Sequence, residues 1–157
     1  MSSARLRLMA AMMNSSGSGG GGGGTATNVL PEFQANTLEL GKCLTYSRGG
    51  VSIQNNTKRI GVQKTTISET GTIKFKMISG FQIALAAYKG NAYASTNSGG
   101  ELVASNGSWN WVTQTDEIKV NLTNYDTFAI NIRYSDNTTS FQSNDLTNYI
   151  DITVIDN

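Results

Sequence analysis

From Gly50 onward the chain alternates apolar and polar positions with a period of two. In "TIKFKM" (72–77), Ile73, Phe75 and Met77 point one way and Lys74 and Lys76 the other; "IKVNL" sets Ile118, Val120 and Leu122 against Lys119 and Asn121; "FAINIRY" sets Phe128, Ile130, Ile132 and Tyr134 against Asn131 and Arg133. Each pattern predicts a strand with one buried face. "FQIALAAY" (81–88) is apolar on both faces and predicts a buried central strand, and "YIDITVI" predicts a last strand. Turn residues at "ETG", "KGN", "TNSGG", "SNGS" and "YSDN" separate these runs. About seven or eight short strands at this spacing predict an all-β fold, an antiparallel β-sandwich of jelly-roll type, over residues 50–157.

The pattern before Gly50 is different. Residues 29–49 hold isolated apolar residues and the single proline without a sustained period; they read as a lead-in, with one strand near Leu38 to Leu44. Residues 14–28 are a Gly/Ser-rich run with nothing to bury, which predicts a flexible linker spanning roughly 17–20 Å. An engineered scar is the competing explanation of "GSGGGGGG", and the native-looking "MSSARL" ahead of it favours a natural tether. In residues 1–13, Leu6, Met9 and Met13 fall at i, i+3 and i+7, with Leu8 and Met12 on an adjacent stripe and Arg5 and Arg7 outside it. That predicts an amphipathic helix of roughly ten residues. So short a helix is marginal alone in water, so its apolar side chains are expected to anchor on a partner surface or on copies of itself. The run "LMAAMM" is too short for the ~7–15-residue core of a signal peptide and far below the ~20 residues that cross a bilayer, so no membrane insertion is expected.

Charge and composition narrow the chemistry. The net charge is +1 and only 15% of residues are charged, scattered rather than blocked, which predicts no nucleic-acid or anionic-membrane partner. The chain has one cysteine, Cys43, and no histidine. An internal disulfide, a Cys/His zinc site and Ser–His or Cys–His nucleophilic catalysis therefore have no residues to use, and no cofactor or metal is expected. The carboxylates sit near turns and strand ends, where solvated carboxylates are normal, and no enzyme is expected.

The sharper feature is "SNGSWNWVTQ". Trp109 and Trp111 straddle Asn110 and share one face of a strand. Exposed, they would form a platform for the apolar face of a sugar ring, with Asn106, Asn110 and Gln114 as hydrogen-bonding partners; buried, one packs in the core while the other lies across a sheet edge. Arg59 and Arg133 begin or end predicted strands. Arg133 could pair with Asp136, or reach a ligand carboxylate bidentately, or simply solvate a strand face.

The order "TKRIGV", "TGTIKFKMISGFQIALAAYKGN", a Trp in "GSWNWV", "DTFAINIRYSDN" and a last strand resembles a β-sandwich module of bacteriophage structural proteins, over about residues 50–155. The short helix and glycine run ahead of it are similar to those of phage head-fibre and capsid decoration proteins. The resemblance implies a virion protein attached through its N-terminus to capsid or tail proteins, a homotrimer, with the distal domain displayed for adhesion to a host-surface glycan. Two other functions stay open: a tail or capsid-stabilising protein without a receptor, and the carbohydrate-binding module of a bacterial surface protein. A glycan-cleaving depolymerase would need two converging carboxylates.

Overall fold

The computed structural model describes residues 25–104, 109–113 and 117–156. Among these the chain forms eleven strands: β1 (Ala26–Asn28), β2 (Lys42–Ser47), β3 (Gly50–Asn55), β4 (Ile60–Thr66), β5 (Thr72–Met77), β6 (Phe81–Lys89), β7 (Ala92–Thr96), β8 (Leu102–Val103), β9 (Ile118–Asn121), β10 (Thr127–Tyr134) and β11 (Ile150–Ile155). One helix, α1 (Leu30–Ala35), and a 3-10 turn, Leu146–Asn148, complete it. The strands form a four-stranded sheet in the order β1-β11-β5-β9, a five-stranded sheet in the order β4-β10-β6-β7-β8, and the hairpin β2-β3. All pairings are antiparallel.

The period-two segments fold as their pattern requires. Ile73, Phe75 and Met77 of β5, Ile118 and Val120 of β9, and Phe128, Ile130 and Ile132 of β10 are buried in one core that both sheets share. Phe75 meets Phe128 across that core with ring centres 5.2 Å apart. β6 lies at the centre of the five-stranded sheet. Ile83, Leu85 and Ala87 face the shared core, whereas Ala84, Ala86 and Tyr88 belong to a second cluster on the other side.

That second side is where the fold departs from expectation. The alternation in β10 assigns Asn131 to a solvated face, yet Asn131 is fully buried. The β2-β3 hairpin lies over this outer face, and the Asn131 amide holds it there: Leu44 N–H donates to Asn131 Oδ1 at 2.9 Å, and Asn131 Nδ2 donates to the Leu44 carbonyl at 2.7 Å. Leu44 and Tyr46 pack against Ala84, Ala86 and Ala129, whose small side chains leave room for a third layer. Gly61 of β4 serves the same approach. A Cβ there would lie 2.8 Å from Cys43 Cα, closer than carbon atoms pack, so only glycine lets β2 pass.

Residues 29–49 thus contribute to the packed structure. Val29, Leu30 and Phe33 join the shared core, and Phe33 meets Phe75 edge-on at 5.8 Å. α1 is too short to show helical periodicity, and Pro31 stands in its first turn, where a missing N–H costs nothing. The strand expected near Leu38 to Leu44 is β2, shifted to Lys42–Ser47. Ala26–Asn28, where the linker was expected to continue, are β1 on the edge of β11. Backbone pairing holds a three-residue strand that no side-chain pattern announces. The anchoring residues Leu6, Leu8, Met9, Met12 and Met13 lie outside the described residues.

Replacing Asn131 by alanine removes two hydrogen bonds and leaves both polar groups of Leu44 buried without partners. At 1–3 kcal/mol for each orphaned group, the cost is about 2–5 kcal/mol. Urea unfolding of Asn131→Ala should show a clearly lowered midpoint; a change within about 0.5 kcal/mol of the parent would contradict this role.

Candidate functional site

Residues 109–113 run beside the first half of β6. Val112 and Ile83 exchange backbone hydrogen bonds of 2.8 and 3.2 Å, and Asn110 N–H donates to the Thr96 carbonyl at 2.8 Å. Val112 points into the shared core, whereas Trp109 and Trp111 pack on the outer cluster, so the two indoles share a face. Both are half-buried. Their ring centres are 5.3 Å apart and their planes stand at 82°, so they meet edge to face and do not form one flat platform. Trp109 also packs on Tyr46 of β2, at 5.1 Å. Asn110 is exposed and falls on the register of Val112, away from the indoles. Asn106 and Gln114 lie outside the described residues.

The structure brings to Trp111 a set of polar residues from distant parts of the chain. The Arg133 guanidinium carbon lies over the ring at 4.3 Å from its centre, and that of Arg59 lies over it at 5.0 Å. Arg133 and Gln82 are register partners on β10 and β6. Arg133 Nε donates to Gln82 Oε1 at 2.6 Å, and Gln82 Nε2 donates to Thr113 Oγ1 at 2.6 Å, a chain of contacts across three adjacent segments. Arg133 therefore spends its Nε on Gln82 and turns its head onto an indole. Asp136 instead accepts bonds from the Thr138 and Thr139 amides and the Thr139 hydroxyl, which hold its carboxyl down at about 2. Burial, and then the Arg59 charge, lower the pKa of Arg133.

Further cations rim the same face. Lys64 lies over Tyr88 at 4.3 Å and Arg48 over Tyr93 at 5.7 Å. The ion pairs of Lys74 with Glu117 at 3.9 Å and of Lys89 with Asp126 at 4.0 Å lie elsewhere. Sequence reasoning isolated Arg59, Arg133 and the two tryptophans separately and missed Gln82 and Thr113. The only signal for Gln82 was its parity with Ala84 and Ala86 on β6.

The site lies at one end of the molecule. β11 pairs with β5 from Ile155↔Thr72 at one end to Ile150↔Met77 at the other. β1 joins at the Ile155 end, where Asp156 N–H donates to the Thr25 carbonyl at 3.3 Å. The Arg133–Gln82 pair lies next to Phe81, and Gln82 is two residues past the turn that follows the Met77 end. There Phe81 packs on Tyr134, Phe141 and Tyr149. Thr25, which follows the glycine-rich run in sequence, therefore lies at the pole opposite the arginine–tryptophan cluster.

A shallow cleft of about 450 Å³ near the attachment pole contains two carboxylates, Glu69 and Asp126. Asp126 pairs with Lys89, which also donates to the Leu122 and Thr123 carbonyls, and accepts from the Thr127 hydroxyl. No group of three metal-ligating side chains occurs among the described residues, and none of their helices is long and apolar enough to cross a membrane. Comparison with known protein families, curated proteins and solved structures finds no match.

The tyrosines beneath this face set its alkaline limit. Burial raises the Tyr46 phenol well above its ordinary value, reinforced by Cys43, Tyr88 and Tyr93, and its O–H donates to the Ala84 carbonyl. Burial, with Tyr93, pushes Tyr88 up to about 12. A raised phenol pKa stabilises the fold below the ordinary value near 10 and ceases to do so as pH rises through about 12. Absorbance at 295 nm should show Tyr88 ionising only at about pH 12, with stability declining between pH 10 and 12. Ionisation of all tyrosines near pH 10 without unfolding would contradict the burial.

Proposed function

We propose that the two sheets form a β-sandwich of jelly-roll type, and that the chain is a non-enzymatic bacteriophage virion protein of head-fibre or capsid-decoration kind, displaying this domain for adhesion to host-surface glycans. Support for the topology comes from the nesting of strand pairs. With the β2-β3 hairpin set aside, β1 pairs with β11, β4 with β10, β5 with β9 and β6 with β7. Outermost joins outermost, as in one long hairpin folded over on itself, and the two sheet orders follow from that. Double-sheet jelly rolls recur in viral capsid and lectin domains, an analogy of fold that raises the prior and carries no residue roles.

The observation that carries the display reading is polarity. Thr25, which follows the glycine-rich run in sequence, leads into β1, and the arginine–tryptophan cluster stands at the other pole, about 17–20 Å along the strands. A tethered domain presents its far end. The run lets neighbouring copies reorient, so that many weak contacts on one particle combine through effective concentration. In this reading residues 1–13 dock on capsid or tail proteins or on sister copies in a homotrimer.

Deleting residues 1–24 should leave a folded domain with unchanged near-UV circular dichroism while abolishing incorporation, quantified by mass spectrometry of purified particles. Normal incorporation of the shortened chain would refute attachment through the N-terminus.

A further inference from the structure

We propose that Arg59, Arg133 and Trp111 form a binding site for an acidic saccharide, a sugar carrying a carboxylate or phosphate oxyanion. The inference rests on the reading of this face as the one that meets host glycans, and it names the ligand chemistry.

Among the described residues the two guanidiniums have no counter-charge beside them. Arg59 and Arg133 converge on one indole, at 5.0 and 4.3 Å from its centre, and neither has a carboxylate within ion-pair distance among the described residues. Two guanidiniums drawn together without a counter-charge repel each other, and the depressed pKa of Arg133 reflects that as well as burial. Cation–π contact offsets part of the repulsion, and an oxyanion seated at the indole edge would offset more.

Unspent donors supply the second strand of the argument. Arg59 Nε is buried and donates to nothing among the described residues. A buried charged donor without a partner costs free energy, and such groups are retained where a ligand satisfies them. Arg133 gives Nε to Gln82, which leaves the two terminal nitrogens of its fork for a planar or tetrahedral oxyanion. Gln82 is itself tied to Thr113, so the fork is aimed before a ligand arrives.

The indoles decide between a bare anion and a sugar. Trp109 stands edge-on to Trp111, so beside the cationic ring lies a second half-exposed aromatic surface that the arginines do not cover. Aromatic faces pack against the C–H face of a sugar ring. An oxyanion on the arginines with its ring against Trp109 uses both halves of the cluster, whereas a free anion uses one.

Titration of the full chain followed by tryptophan fluorescence and two-dimensional NMR tests this with four probes: glucuronate, glucose 6-phosphate, glucose and inorganic phosphate. Glucuronate or glucose 6-phosphate, or both, should bind and shift the Trp111 Nε1 and Arg59 and Arg133 Nε signals. Their relative affinity tells which oxyanion is preferred. Affinity should fall at least about tenfold in each of Arg59→Gln and Arg133→Gln, the loss expected for one charge-assisted contact. Arg133→Lys, which keeps the charge and packing but loses the fork, should weaken binding even if Arg133→Gln is poorly folded. Lys64→Gln, on the same face, should bind within about twofold of the parent.

Binding of glucose as tight as that of glucuronate, inorganic phosphate as tight as either acid sugar, or no binding of any acid would overturn the proposal. Neutral-sugar binding alone would leave the adhesion reading standing while this proposal fails. Acid-sugar binding by a chain that reaches particles without residues 1–24 would uphold this proposal while refuting attachment through the N-terminus.

Discussion

The amide of Asn131 is the contact on which the outer half of the molecule depends. A strand edge is normally satisfied by another strand. Here one side chain gives β2 both a donor and an acceptor at Leu44, so the hairpin can lie over a sheet it does not extend. Once the hairpin is down, Leu44 and Tyr46 exclude water from Ala84, Ala86 and Ala129. The five-stranded sheet is then buried on both faces along its centre. The cost of placing an amide at full burial is offset because both its donor and its acceptor have partners.

The chemistry of the outer face follows from that covering layer. Tyr46 is the floor on which Trp109 rests, Trp109 buttresses Trp111, and Trp111 carries the two guanidiniums. The members of this stack come from four segments: the hairpin, residues 109–113 with both tryptophans, the approach to β4, and β10. Removing the hairpin would expose Tyr88 and Tyr93 and leave the tryptophans without support. The same layer makes the face cationic, because Lys64, Arg48, Arg59 and Arg133 are where long side chains can cover aromatic rings and keep their heads in water.

How much of this was legible in the sequence depends on whether one face or two was buried. β5, β9 and β10 show their inner face by simple alternation, and "FQIALAAY" shows both, because alanine at 84 and 86 is apolar without being bulky. β1, β3, β7 and α1 lack a clean apolar–polar alternation or are held by backbone bonds, so periodicity does not register them, and it places β2 only with a shifted start. Asn131 could be assigned to the outer face but not to burial, since its partner lies 87 positions away. For the same reason the tryptophans could be placed together while Arg59 and Gln82 could not be placed beside them. Local pattern reports which way a side chain points, and only the fold reports what waits there.

Amide hydrogen exchange at Leu44 tests the central claim, that a single side chain locks the hairpin into the packed structure. The Leu44 N–H should exchange as slowly as amides of Ile130 and Leu85 at the centre of the five-stranded sheet, because it opens only when the sheet does. Exchange as fast as that of Ile53, on the exposed strand of the same hairpin, would show that the hairpin opens independently and would contradict the account.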